Sequence, residues 1–364
     1  MTPGAGLILG IETSCDETAA AVVQGGTRVL SNVIATQHDL HRRYAGVVPE
    51  IASRAHLERI VPVLREALSE AGAGYGDLDA VAVGHRPGLI GSLLVGTSAA
   101  KALAWSLGVP VIGIDHIVAH LYAGFLDGGE GGSMPQHEEP ALGLVVSGGH
   151  TSLFLVLGAL EVRLLGRTTD DAIGEAYDKA AVMLGLGYPG GPEVDRLAQH
   201  GDDHVHDFPV AMLGPESLDF SFSGLKTSLL YAVCGQPRGA GERRRLEEKA
   251  SQLTSRQKAD FAASFQRAAI TAIMRKLDRA LQRHDVRRLL VGGGVSANSR
   301  LRRELQALSE QARLDLLLPR MEYCVDNAAM IAGLAAVKLA AGNVDAWSLS
   351  ASTASEVSKG WVVA

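Results

Sequence analysis

Two histidines four residues apart, His116 and His120 in Asp115-His-Ile-Val-Ala-His120, carry the most pointed chemistry in this sequence. At helical spacing they share a face, with Cβ atoms roughly 5–6 Å apart, so both imidazoles could ligate one transition metal. The Glu that follows the first His in zinc proteases is absent, because Ile117 stands there; that argues against peptide hydrolysis. The competing reading is two partly buried histidines held by hydrogen bonds. Asp326 is the best third ligand, at a point where a loop enters a helix. Asp at such a point most often serves only as an N-cap. A two-His, one-carboxylate set suits Fe(II) as well as Zn(II).

Glycine-rich turns offer a second kind of chemistry. Val145-Val-Ser-Gly-Gly-His-Thr151 sets Gly148 and Gly149 between apolar runs. Their N–H groups could form a concave nest for phosphate oxygens; a plain hairpin turn explains the same residues equally well. Gly292-Gly-Gly-Val-Ser-Ala-Asn298 has the look of a phosphate loop feeding a helix. It is neither the dinucleotide pattern nor a Walker A loop. Asp171, Glu175 and Asp178 fall at i, i+4 and i+7, which predicts one acidic helix face. That face is either solvated or a site for hydroxyls or Mg²⁺. Pro189-Gly-Gly-Pro192 then makes a rigid bend that could set backbone N–H groups and Asp195 against a ribose, or act only as a turn.

Strands and helices must position these groups. Apolar runs at 7–11 and 19–23 flank a polar turn, and residues 48–71 alternate charge and apolar side chains at helical spacing. Residues 80–84 and 109–114 read as strands around a small-residue helix that ends near 107. After a Gly- and Glu-rich surface loop at 127–140, the opening pattern returns: strand 142–146, turn, strand 153–157. Two α/β lobes related by duplication are therefore expected. A polar stretch at 236–258 reads as a solvated helix or insertion, and 259–283 as a long amphipathic helix. Strands at 289–291 and 314–319 and a small-residue helix at 326–341 complete the second half.

Composition bounds the function. At about 150 residues per domain, 364 residues suggest two domains. Glycine is abundant, 42 residues, in short clusters beside apolar runs, as backbone does when it turns tightly or approaches a ligand. A net charge of −6, from 34 basic and 40 acidic residues, excludes a free-standing, charge-driven nucleic-acid binder. Three scattered cysteines exclude a disulfide framework. The longest apolar stretch, 88–105, is broken by Ser92, Thr97, Ser98 and Lys101, and the first residues lack a basic signal region. A cytoplasmic chain without membrane contact is expected.

Taken in order, the motifs resemble one family. They are Gly10-Ile-Glu-Thr-Ser-Cys-Asp-Glu-Thr18, Val47-Val-Pro-Glu-Ile-Ala-Ser-Arg54, the His116/His120 pair, Val146-Ser-Gly-Gly-His-Thr151, Gly190-Gly-Pro192, Asp219-Phe-Ser-Phe-Ser-Gly-Leu-Lys-Thr227, Gly292 to Asn298 and Asp326-Asn-Ala-Ala-Met330. Together, from about residue 7 to 349, they look like the bacterial tRNA threonylcarbamoyladenosine transferases, the TsaD family once called glycoprotease-like. The resemblance implies an α/β, actin-like fold of two lobes, each a mixed five-stranded sheet with helices, around a nucleotide cleft. We expect 1–120 plus 330–364 in the first lobe and 121–329 in the second.

The resemblance also implies transfer of threonylcarbamoyl from threonylcarbamoyl-AMP to the exocyclic amine of the adenosine beside the anticodon, in tRNAs reading codons that begin with A. One divalent metal, Fe(2+) before Zn(2+), would be held by His116, His120 and Asp326. Substrate or nucleotide, including ATP or ADP, would meet Val145, Val146, Ser147, Gly148, Gly149, Asp178, Gly191, Asp195 and Asn298. Partners would be tRNA, a TsaB-like paralogue and a TsaE-like P-loop ATPase. Glu12 and Asp16, at the end of the first strand, are candidates for positioning or proton removal. Arg42, Arg43, Arg54 and Arg59, and Arg287, Arg288, Arg300, Arg302 and Arg303, could form local basic patches. Ala45 and Arg86 stand where the family's motifs carry Gly. The alternatives are a small-molecule kinase or ATPase of the actin-like superfamily, a metalloprotease, and a non-catalytic scaffold.

Overall fold

The computed structural model describes residues 6–44, 46–128, 139–211, 213–235, 249–355, 357 and 361–363. The first sheet has β1 (Leu7–Glu12), β2 (Glu17–Gln24), β3 (Arg28–Thr36), β4 (Ala80–Arg86) and β5 (Val111–Asp115), in the order β3-β2-β1-β4-β5. Three antiparallel strands are followed by two that add in parallel. The second sheet repeats this plan with β6 (Ala141–Val146), β7 (Thr151–Gly158), β8 (Glu161–Arg167), β9 (Arg288–Gly292) and β10 (Asp315–Leu317). The repeated turn-and-strand pattern is thus a duplicated lobe.

One strand was not legible. β11 (Trp361–Val363) pairs antiparallel with β8, so the second sheet has six strands rather than five. It also takes residues 361–363 away from the first lobe, where 330–364 had been expected. The open edge of β8 presents unpaired N–H and C=O groups that template such pairing.

The helices are α1 (His38–His41), α2 (Pro49–Ala71), α3 (Ile90–Leu107), α4 (His116–Tyr122), α5 (Ile173–Met183), α6 (Gly190–Ala198), α7 (Ser223–Cys234), α8 (Ser255–Leu281), α9 (Ser299–Ala312) and α10 (Ala328–Ala340). The long helix expected from 259 starts earlier because Thr254 and Gln257 form a capping box. The expected loop at 127–140 and the insertion at 236–258 lie largely outside the described residues, as does Ala45.

Period-two alternation sorts each strand between two cores. Leu9, Ile11, Val22, Val81 and Val83 face outward onto α2 and α3. Ile8, Ala21, Val23, Ala82 and Ile114 face inward, toward a layer that also receives Val145, Phe154, Val156 and Leu290 from the second sheet. Helices α4 and α10 fill that layer. Helix α10 is apolar on nearly every side, as a helix buried between two sheets must be. Helix α3 reaches the length and mean hydropathy of a membrane span. Yet Ser92, Leu93, Thr97 and Ala100 are buried and Thr13 Oγ1 donates to Ser92 O at 2.9 Å, so this face is part of the fold's interior.

The inner layer is close-packed through glycine. A Cβ on Gly10 would lie 2.3 Å from Ala328 O at the start of α10. Gly10→Ala must therefore push β1 from α10, at about 1–3 kcal/mol for overpacking, which exceeds the ~0.4–1 kcal/mol gained by stiffening the unfolded chain. Urea unfolding should show a net loss of stability for Gly10→Ala, and unchanged or raised stability would contradict this packing.

Candidate functional site

Helix α4 begins where β5 ends. Asp115 caps it by accepting from Ile117 N at 3.0 Å, and its other oxygen accepts from Ser355 Oγ at 2.5 Å. The cap fixes the first turn, so His116 and His120 face the same way, with ring centroids 4.6 Å apart. At the start of α10 the N-cap is Asn327, which accepts from Met330 N at 3.0 Å. Asp326 is thereby spared the capping role that its position suggested. Its Oδ1 lies 3.2 Å from Nε2 of His120 and 3.5 Å from Nε2 of His116.

These three residues can hold a cation. One ligand atom from each lies within 4.8 Å of the other two. His120 is fully buried; its Nδ1 has no hydrogen-bond partner, and its Nε2 meets only the Asp326 carboxylate. An orphaned buried polar atom costs about 1–3 kcal/mol; Nδ1 bears that cost, while Nε2 faces the side shared with Asp326 and His116, where a cation would sit. Burial disfavours charge on His116, but the Asp326 and Glu12 carboxylates outweigh it and raise that imidazole well above its usual value. Burial and the charge on His116 together lower His120. Burial would raise the Asp326 carboxyl, yet the two imidazoles hold it well below the usual range. The proton that now reconciles these charges is the one a metal would replace.

Glu12 stands behind this set. It is fully buried; Oε2 meets His116 Nδ1 at 2.9 Å and Oε1 accepts from Ser14 N at 2.5 Å. Gly84 makes the room, since a Cβ there would lie 2.5 Å from Glu12 Oε2. Both carboxylate oxygens are committed to orienting other groups. Asp16 lies apart from it, beside Cys15 and Glu17.

The other expected residues fall into two groups. The turn after β6 closes by Ser147 N donating to His150 O at 2.7 Å and His150 N to Ser147 Oγ at 3.1 Å. A Cβ on Gly148 or Gly149 would meet nothing within 4 Å, so the turn's outer side is open to a ligand. Val145 and Val146 are buried behind it. The His150 ring is pushed down to about 4 by burial and by the charges on His116 and His120, which ties this turn to the metal-ligating set. Farther along, Asp178 accepts from Gly190 N at 2.7 Å, and Gly191 is open. Asp195 accepts from Ser299 N and Oγ at 3.0 and 2.8 Å, while Asn298 caps α9 and donates to Gln266 Oε1 at 2.9 Å.

The single acidic face expected of Asp171, Glu175 and Asp178 does not form. Asp171 precedes α5 and pairs with Lys179 and Lys226, at 2.9 and 2.7 Å. Lys179 also binds Glu175. The neighbouring Asp170 accepts from Ser221 Oγ, Phe222 N and Ser223, so the Asp219 to Thr227 motif closes the lobe rather than contributing ligands. Sequence reasoning missed Ser14, His150 and Ser299. Each lies inside or next to a quoted motif, but hydroxyls and a turn histidine carry no spacing signal of their own.

Comparison with known proteins decides the family. The profile of TsaD, tRNA N6-adenosine threonylcarbamoyltransferase, matches residues 28–333. The chain belongs to the TsaD family. It is 52% identical to the tRNA N6-adenosine threonylcarbamoyltransferase of Symbiobacterium thermophilum, over 90% of each chain, and 50% identical to that of Moorella thermoacetica, over 89% of each. The structure of HypF from T. kodakarensis superposes with a TM-score of 0.57 at 15% identity, over 93% of this chain and 48% of that one. Component A of Acidaminococcus fermentans (R)-2-hydroxyglutaryl-CoA dehydratase gives 0.50 at 15%, over 92% and 99%. Those two likenesses concern the fold alone, the two-lobed actin-like architecture. This TsaD-family chain is accordingly an enzyme, a transferase that modifies N6 of adenosine in tRNA with a threonylcarbamoyl group.

The role of Glu12 can be measured. Glu12→Gln preserves shape but weakens the hold on His116 Nδ1, and loss of such a supporting partner typically lowers metal affinity about 10–100-fold. Chelator competition with Zn²⁺ should show that drop, with the melting temperature changed far less than in Gly10→Ala. Unaltered affinity would remove Glu12 from the site.

Proposed function

We propose that this enzyme takes the threonylcarbamoyl group from threonylcarbamoyl-AMP and passes it to the adenosine next to the anticodon in tRNAs reading codons that begin with A. The N6 lone pair attacks the donor carbonyl carbon, the bond from that carbon to the phosphate oxygen breaks, AMP leaves with the electron pair, and the proton lost from N6 passes to the departing phosphate or to water. His116, His120 and Asp326 would hold one divalent metal, Fe(2+) before Zn(2+). The observation that carries this is the convergence of one ligand atom from each of His116, His120 and Asp326 within 4.8 Å of one another, with Nε2 of the fully buried His120 turned to Asp326. Bound there, the ion supplies Lewis-acid polarisation to a donor oxygen.

The remaining work falls to the chain's own groups. The turn at Gly148 and Gly149, open on the side a Cβ would occupy, leaves room for phosphate oxygens of the donor, or of ATP or ADP, to approach its backbone. Asp178 orders the Gly190–Gly191 bend, and Asp195 with Asn298 orders the start of α9; both support a bound ribose or phosphate. Holding donor and amine together is itself a large rate factor. Glu12, by its contacts, is a positioning residue for His116 rather than a proton acceptor from N6.

Transfer to tRNA calls for help, in the cytoplasm, from a TsaB-like paralogue and a TsaE-like ATPase. Four of the nine arginines in the expected patches are spent internally: Arg59 on Thr36 O, Arg288 on Asp315, Arg300 on Asp203 and Glu304, Arg302 on Ser296 O and Pro319 O. We assign the paralogue to the outer face of α2 and α3, where Leu57, Val61, Ile90 and Leu94 are exposed beside a groove lined by Ile60 and Val95. A chain with the same lobe would present the same helix pair, so the two faces can meet about a pseudo-twofold axis.

Two experiments test this. His120→Ala should lose its metal and its tRNA modification together, while Asp326→Asn keeps a weaker hold; elemental analysis beside a modification assay reads both. Metal-free protein with full activity would refute the metal's role. Separately, the isolated chain should modify tRNA slowly and regain turnover with both partners. Leu94→Asp should block that rescue by abolishing co-elution with the paralogue, and full rescue would move the interface elsewhere.

A further inference from the structure

We propose that Asp16, Glu17 and His38 form a second divalent-cation site, separate from the set of His116, His120 and Asp326. Asp16 ends the turn between β1 and β2, Glu17 opens β2, and His38 opens α1. One ligand atom from each residue lies within 4.8 Å of the other two, and His38 Nε2 is 3.2 Å from Glu17 Oε1. The two sets share no residue.

The negative charge at this place is only partly compensated, by His38, which the Glu17 carboxylate raises above its usual value. Asp16 is 7% exposed, and among the described residues its carboxyl hydrogen-bonds only with the Cys15 thiol and the Glu17 carboxyl. Neither is a cation, and the Glu17 acid competes for the same proton. No lysine or arginine among the described residues pairs with Asp16 or Glu17. From the second lobe, Tyr188 closes edge-on against His38 with ring centroids 5.9 Å apart, and Asp178 adds another carboxylate nearby. Burial drives the Glu17 carboxyl up to about 8, against the pull of His38 and with the push of Asp16.

Two buried carboxylates side by side cannot both ionise without a counter-charge; they share a proton or a cation. His38 supplies at most one positive charge against Asp16, Glu17 and Asp178, with Asp326 of the first set close enough to push Glu17 up as well. A divalent ion neutralises the pair at once. Two carboxylate oxygens with one imidazole nitrogen suit Mn²⁺ and its neighbours in the first row. The His38 side chain is 35% exposed, which leaves an entry path and positions for water or for an anionic donor group. The inference stands whether or not the first set binds metal.

The test counts ions. Metal-stripped full-length protein is titrated with Mn²⁺, and free Mn²⁺ is read by its electron paramagnetic resonance signal. The double variant Asp16→Asn/Glu17→Gln should bind one Mn²⁺ per chain fewer than the parent, whereas His120→Ala should retain the ion at this site. His38→Gln alters a partly exposed side chain and so cannot unfold the core; it should weaken the same ion about tenfold or more. Circular dichroism of the double variant should match the parent, and relief of carboxylate repulsion should raise its metal-free melting temperature. A double variant that binds as many ions as the parent overturns the site, as does His38→Gln with parental affinity. Loss of an ion only in His120→Ala would leave the first set standing and this one refuted.

Discussion

Everything at this site rests on how closely two short helices are held between the inner faces of two sheets. Helix α4 can approach β9 only because Gly292 has no side chain; a Cβ there would lie 2.1 Å from His120 O. Gly333 of α10 likewise gives way to the Tyr122 ring of α4, where a Cβ would lie 2.5 Å from it. With Gly10 beneath the first turn of α10, these close approaches fix the two helix starts relative to one another. The distance from Asp326 to His120 is a consequence of that packing, since nothing along the chain connects them. Interiors packed to crystal-like density do not deform gradually, so such a spacing is held tightly.

Electrostatics then exploits the burial. The line Glu12, His116, Asp326 alternates anion, imidazole and anion in a region almost free of water, where each charge is costly unless matched. His120 is the member whose Nδ1 finds no partner and whose Nε2 is left to share Asp326 with His116. The β1–β2 turn places a second excess of negative charge, Asp16 and Glu17, on the same side of the first sheet. Both excesses come from the end of one strand. A lobe whose central strand ends in acidic residues at a cleft will attract cations there unless arginine or lysine intervenes, and here neither does among the described residues.

Duplication divides the labour between lobes. In each sheet the first strand of the meander lies next to the first parallel strand, so its C-terminal end falls where the strand order reverses, the place at which open α/β sheets bind ligands. From β1 that end delivers Glu12 and the acidic turn; from β6 it delivers the glycine turn at 147–150. One lobe thus presents carboxylates and the other backbone N–H groups, suited respectively to a metal and to phosphate.

Local geometry was legible from residue order, and long-range meeting was not. The His116/His120 pair needed only the 3.6-residue helical repeat, the strand pairs only alternation and their turns, and α8 only its apolar stripe. Ordered motifs pointed to the family because they sample many sites at once. Spacing failed where a tertiary partner overrides the local pattern: Asp171 left the helix to meet Lys226. Glu17 and His38 belong to separate elements, and β11 follows a long excursion of chain, so no periodicity announces either. Residue types and local spacing determined what chemistry this chain could carry. Only tertiary structure decided which groups meet, because burial and sheet pairing act between segments that the sequence keeps apart.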